Sequence, residues 1–302
     1  MLNLGLVQSR FAGLFAFGCL ALSAACGSSP PDDGGSGGSS GGGVTSSTSG
    51  VGGASTGSGG AGSGTGGAST SSGAGGGGQA ASLPAELLDL ANWKLTLPIS
   101  APGESSPLEI KQPDLATYSN DPYFHLNASK DGVLFQAHAG GATTSNSGYP
   151  RSELREMANQ GKDQASWSTT SGTHTMVVKE AITHLPVVKP HVVAGQIHDA
   201  SDDVVMIRLE DKYLFVEGGG DDLGELDPSY ALGTPFTIKM VAEEGVIQVY
   251  YNDMNTPKVA VPRDASGCYF KAGVYTQSNP EKGDEPTAYG EVIIYDLSVT
   301  HQ

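Results

Sequence analysis

From residue 132 onward the chain runs through short segments rich in Val, Ile, Tyr and Phe, punctuated by Gly, Pro, Asn and Asp. This pattern predicts strands over residues 132–139, 173–183, 192–198, 204–209, 213–216, 236–241, 246–251, 268–277 and 291–299. The pair Glu244-Gly245 suits a hairpin turn. Long helices do not alternate with the strands, which disfavours a parallel α/β sheet. An all-β fold is expected, a two-sheet antiparallel jelly-roll sandwich. One short helix is predicted over residues 84–91, with Ser82 near its cap and Leu87, Leu88 and Leu90 facing inward. Local propensity also reads residues 150–159 as helical, because Glu, Leu, Arg, Met and Ala follow a proline in the first turn.

Three segments carry more than an apolar stripe. Residues Tyr269 to Gln277 alternate strictly. In a strand, Tyr269, Lys271, Tyr275 and Gln277 share one face around Gly273, while Phe270, Ala272, Val274 and Thr276 share the other. Arg151-Ser152-Glu153-Leu154-Arg155 sets Arg151, Glu153 and Arg155 on one side. Gln196-Ile197-His198 sets an amide and an imidazole on one side of a buried isoleucine. Together they describe a sheet with a polar working surface.

Arg-Ser-Glu-Leu-Arg, Gln-Ile-His and Tyr-Phe-Lys-Ala-Gly-Val-Tyr-Thr-Gln, in that order, resemble the three signature motifs of the polysaccharide lyase family 7 alginate lyases. Asn92-Trp93-Lys94-Leu95-Thr96-Leu97-Pro98 resembles the start of that domain. The likeness spans residues 83–302. It implies a jelly roll with a substrate groove across the concave sheet, and a strand rather than a helix at Arg151–Met157.

Alginate is a polymer of 1→4-linked uronic acids, and a lyase breaks it by β-elimination. The C5 proton is hardly acidic beside a charged carboxylate, so that charge must first be neutralised. A base then removes the C5 proton, and an acid protonates the departing C4 oxygen. The resemblance implies that Arg151 and Gln196 neutralise the carboxylate. His198 would serve as base or as a third neutraliser. Tyr275 would be the acid and, for mannuronate, both acid and base. Arg155 and Lys271 would hold neighbouring carboxylates, and Glu153 would orient an arginine. Tyr269 and Gln277 would line the groove, with Gly273 leaving room for the sugar. The resemblance also implies, through Ile197 in the Gln-Ile-His motif, a preference for guluronate-containing blocks. No metal or other cofactor is expected, since arginine and glutamine already supply charge and donors.

Net charge is −16, and residues 83–302 contain 15 basic against 30 acidic side chains. That balance argues against nucleic acid as a partner. A polyanionic polysaccharide then needs a local basic strip, for which Arg151, Arg155 and Lys271 are the candidates. Cys268 is the only cysteine beyond Cys26, so residues 83–302 cannot form a disulfide within themselves. The remaining histidines show no shared spacing and read as structural or surface groups. The acidic stretches near Asp202, Asp221 and Glu281 read as turns without the regular ligand spacing of a calcium loop.

Residues 1–26 combine Arg10, an apolar stretch over 11–22 and small residues, the pattern of a secretory signal. The stretch is too short for a comfortable membrane span. Leu22-Ser23-Ala24-Ala25-Cys26 resembles a bacterial lipoprotein site, which would tether the protein to a membrane through Cys26; ordinary signal cleavage is the alternative. The expected location is secreted or anchored at a bacterial outer membrane. Residues 27–82 hold 23 of the 44 glycines and no charge after Asp33, the composition of a flexible linker. A monomer is expected. Three rival functions share parts of this reading. They are a non-catalytic carbohydrate-binding jelly roll, a lyase acting on polyglucuronate, and a glycosidase. The last would need two facing carboxylates, whereas Glu153 and Glu156 fall on opposite strand faces.

Overall fold

The computed structural model describes residues 81–145 and 147–302. The predicted leader, Cys26 and nearly all of the linker lie outside the described residues. In chain order the strands begin with β1 (Trp93–Ser100), β2 (Pro107–Ile110), β3 (Phe124–Leu126), β4 (Val133–His138), β5 (Arg151–Ala158), β6 (Asp163–Gln164), β7 (Trp167–Ser168), β8 (Thr173–His184) and β9 (His191–His198). They continue with β10 (Asp203–Glu210), β11 (Tyr213–Gly218), β12 (Asp221–Asp227), β13 (Phe236–Glu243), β14 (Val246–Tyr251), β15 (Val259–Pro262), β16 (Ser266–Thr276) and β17 (Tyr289–His301).

These strands form two antiparallel sheets. The larger has ten strands in the order β12-β11-β10-β9-β16-β5-β1-β2, with β6 on β5 and β7 on β16. The smaller has seven, in the order β15-β14-β13-β8-β17-β4-β3. Inward-facing Leu95, Leu154, Ile197, Phe270 and Val274 of the first sheet join Phe135, Met176, Ile182, Ile238 and Ile294 of the second in one continuous core. Burial of each such side chain is worth about 1.5–3 kcal/mol. Cys268 is a free thiol inside this core, and burial pushes it up to about 11, so it is an inert packing group.

Every segment predicted as a strand is one, to within two residues at either end. Two local readings give way. Residues 84–91 hold only a single 3-10 turn, Pro84–Glu86, in which the Glu86 carboxylate accepts the backbone N–H groups of Ser82 and Leu83. Leu88 and Leu90 are buried and Leu87 half-buried. Alternate burial at 88 and 90 suits an extended segment, and a helix this short has little stability of its own. The helical propensity of residues 150–159 also loses, because β5 is zipped on both flanks: Leu154 faces Leu95 of β1 and Ala272 of β16.

Seven strands escape the sequence pattern: β1, β2, β3, β6, β7, β12 and β15. In β1, Pro98 lacks a donor and sits where the pairing with β2 shifts register between Thr96 and Ser100. The edge strand β12 begins at Asp221-Asp222, read as part of an acidic turn; the turn itself is Gly219-Gly220, both at positive φ. Charged residues suit an edge strand because they discourage pairing with a further chain.

Candidate active site

The three motif strands are neighbours, in the order β9-β16-β5. Across one ladder Tyr269 faces His198 and Lys271 faces Gln196. Across the other Lys271 faces Arg155, Gly273 faces Glu153 and Tyr275 faces Arg151. The alternation of each strand therefore delivers its polar row to one outer surface. All nine predicted site residues, Arg151, Glu153, Arg155, Gln196, His198, Tyr269, Lys271, Tyr275 and Gln277, line a single groove of about 380 Å³ there.

Glu153 is the hub. Its Oε2 accepts from Arg151 Nη1 at 3.0 Å and from the Lys271 ammonium at 3.0 Å. Its Oε1 accepts from the Gln196 amide. The side chain is buried, which opposes ionisation, yet the charges of Lys271 and Arg151 hold its carboxyl below the usual carboxylate range. Glu153 thus contacts Arg151, Lys271 and Gln196 together. Lys271, expected at substrate carboxylates, lines the groove and gives one of its three N–H donors to Glu153. Burial, with Arg151 and Arg155 adding repulsion, outweighs that carboxylate and draws Lys271 down to about 8.

Arg155 is placed differently. Its guanidinium stacks over the Tyr269 ring at 3.9 Å and donates to the Glu156 carbonyl at 2.7 Å and to Gln164 Oε1 at 3.1 Å. Glu156, on the opposite face of β5, is buried and accepts from Trp167, from the Phe270 N–H and from His301. His301 in turn meets His174, Nδ1 to Nδ1, at 2.7 Å. A separation of 127 residues hid that pairing from any spacing argument.

His198 Nδ1 lies 2.6 Å from the Asp199 carbonyl. A carbonyl only accepts, so Nδ1 carries the proton of the neutral ring and Nε2 keeps its lone pair. Burial, reinforced by the Lys271 charge, lowers the histidine below its ordinary value. A neutral imidazole at neutral pH is the form a general base requires. Tyr269 stacks on this ring, its hydroxyl 3.2 Å from Nδ1.

The Tyr275 hydroxyl is 2.8 Å from Ser147 Oγ, and the Arg151 guanidinium lies 3.9 Å over its ring. Lys94, Thr96, Ser147 and Tyr149 also line the groove. They were not picked out beforehand, although Tyr149-Pro150 directly precedes a motif. Arg151 Nε and Gln277 Nε2 are buried donors without a partner. Donors in that state are costly unless a ligand takes them, and an acidic oxygen-rich ligand is what they suit. Gly273 has a different purpose from the one expected. Its φ is +134°, and a Cβ there would lie 2.5 Å from the Ser152 carbonyl oxygen and 3.0 Å from both Glu153 Cα and the Phe135 ring. Its bareness admits β5 and the core, not the sugar. Among the described residues no group of three His, Cys, Asp or Glu is arranged to hold a metal ion.

A family model described as alginate lyase matches residues 88–301. An alginate lyase of Klebsiella pneumoniae is 26% identical over 287 residues, covering 74% of this chain and 92% of that protein. Among solved structures, alginate lyase AlgAT5 from polysaccharide lyase family 7 is 59% identical with a TM-score of 0.70, covering 73% of this chain and 99% of that one. The alginate lyase from Corynebacterium sp. is 47% identical with a TM-score of 0.70, covering 74% and 100%. Family 7 alginate lyase A1-II', solved with substrate (GGMG) as a double variant with one histidine changed to asparagine and one tyrosine to phenylalanine, is 27% identical with a TM-score of 0.61, covering 74% and 97%.

Proposed function

The chain belongs to the polysaccharide lyase family 7 alginate lyases, which cleave alginate by β-elimination, and on that premise we propose how this groove performs the reaction. A uronate carboxylate is received by Arg151 and Gln196, whose orientations Glu153 sets. Arginine matches a carboxylate in charge and in its two-pronged geometry. With that charge neutralised, His198 Nε2 takes the C5 proton. The C5 electron pair forms the C4–C5 double bond as the C4–O bond breaks. The departing oxygen receives the Tyr275 phenol proton, and the Ser147 hydroxyl holds that phenol in place. For a mannuronate unit, whose C5 proton and leaving oxygen lie on one side, Tyr275 does both tasks.

One observation carries this assignment: an arginine, a glutamine, a histidine and a tyrosine from three adjacent strands line one groove around a single buried carboxylate. Capture of substrate by a relative altered at a histidine and a tyrosine supports the same division of labour.

Guluronate-containing blocks are the preferred substrate in this proposal. Ile197 is fully buried, so it acts by setting where β9 carries Gln196 and His198 rather than by touching sugar. Absorbance of the new double bond, followed over mannuronate-rich, guluronate-rich, mixed and glucuronate polymers, tests both points. The expected order puts guluronate-containing alginate first and glucuronate last. Faster turnover of pure mannuronate blocks would overturn the preference, and silence on every polymer would turn the reading to a binding module. Residues 1–82 are proposed to export the enzyme and tether it through Cys26; Cys26→Ser should then release it from the membrane fraction, and an unchanged distribution would refute the tether.

A further inference from the structure

Beside Tyr275 the groove is lined by Tyr149 and Gln277, which the elimination does not use, and Lys189, not itself a lining residue, stands against Tyr149. Tyr149 lies edge-on to the Tyr275 ring at a centroid distance of 6.3 Å. Lys189 donates to the Tyr149 hydroxyl at 3.1 Å, with its ammonium 4.7 Å from the ring centroid. Among the described residues Lys189 makes no ion pair. Arg151 and Lys271, by contrast, already share Glu153. Gln277, two residues beyond Tyr275 on the same face, keeps its Nε2 buried and without a partner.

Lys189 is also firmly placed. The buried Asp284 carboxylate accepts the backbone N–H groups of Val187, Val188 and Lys189 at 2.8, 2.8 and 2.9 Å, and the Ser278 hydroxyl at 2.6 Å. The loop is therefore anchored without the Lys189 side chain, and the contact with Tyr149 is not needed to hold it. A half-buried ammonium resting on a neutral phenol gains more from a carboxylate.

We propose that Lys189, Tyr149 and Gln277 form a distal subsite for a further uronate unit of the same polysaccharide. The Lys189 ammonium takes its carboxylate, the Tyr149 ring packs against the sugar face, and the Gln277 amide donates to one of its oxygens. The substrate class rests on the alginate-lyase reading above. The subsite adds an extended, chain-length-dependent hold at the Tyr275 end of the groove.

Calorimetric titration of a uronate hexasaccharide into Tyr275→Phe protein measures binding without turnover. Adding Lys189→Ala to that background should weaken binding about tenfold, the loss expected for one charge-assisted contact. Lys189→Arg should restore most of it. Lys162→Ala, which removes the same charge from an exposed position away from the groove, should leave the affinity alone. An affinity within about twofold of the parent for Lys189→Ala, or an equal loss in Lys162→Ala, would overturn the subsite. Circular dichroism of each variant separates misfolding from lost contact, and Lys189→Met, which keeps the stem, repeats the measurement should the alanine variant unfold. Absence of unsaturated product from wild-type enzyme on the same hexasaccharide would count against the lyase reading alone, because the titration does not depend on cleavage.

Discussion

Two glutamates sit equally far from water and end in opposite states. Glu153 on the groove face of β5 is 3% exposed; Glu180, facing the core from β8, is 0% exposed. Arg151, Lys271 and Gln196 surround the first, and the charges of Lys271 and Arg151 keep it ionised against the pull of burial. The second has no hydrogen-bond partner for either oxygen, and burial pushes it up to about 8. Nearby Tyr230 offers no relief, since its hydroxyl is committed to the backbone at Ile182 and Thr234. The larger sheet thus assembles donors until a buried charge is sustained. The smaller admits a carboxyl only by keeping its proton. Stripping an ion of water costs several kcal/mol, so a charge persists in a fold only where counter-charges converge.

The sharpest way to probe that division is to remove one groove hydroxyl. Tyr275→Phe keeps the ring that packs under Arg151 and loses only the phenolic oxygen. Its kcat should fall by about 10²–10⁴-fold, the range for general acid–base catalysis, with the melting temperature nearly unchanged. A folded variant keeping more than about a tenth of wild-type kcat would exclude this tyrosine as the acid.

Glu180 should answer in stability instead of activity. Unfolded, it ionises near 4.5; folded, it holds its proton to about 8. Across that window the unfolded chain binds fewer protons, so wild-type stability falls as pH rises. Glu180→Gln removes this slope, and between pH 5 and pH 8 it should gain about 3–4 kcal/mol relative to wild type. Urea melts at the two pH values decide the matter. Parallel changes in both proteins would show that Glu180 is paired or hydrated after all.

The smallest effect concerns the groove's own balance. Lys271 titrates at about 8, so kcat/KM should decline above that pH, while the lowered value of His198 places an acid limb below pH 6.5. Neutralising Lys271 leaves Glu153 to Arg151 and Gln196 and loosens the hub. In Lys271→Arg, whose guanidinium stays charged, the alkaline limb should move upward even if overall activity drops. An alkaline limb that stays in place would assign it to another group.

Much of this protein could be read before folding. A period of two is local, so the strict alternation from Tyr269 to Gln277 sorts polar from apolar faces in any strand, and the three motif segments emerge as strands with their polar rows outward. The net charge and the solitary Cys268 likewise limit partners and crosslinks from composition alone. What tertiary structure decided lies between segments. Helix-forming residues in β5 became a strand because β1 and β16 offered ladders on both flanks. Gly273 proved to be required by the approach of Ser152 and Phe135, a neighbour relation invisible along the chain. Glu153 gathers partners from positions 151, 196 and 271, while Glu180, an equally ordinary glutamate in sequence, gathers none. Alternation tells each side chain which way to point, but whether a buried charge survives depends on what other strands bring within about 3 Å, and only the folded sheet order settles that.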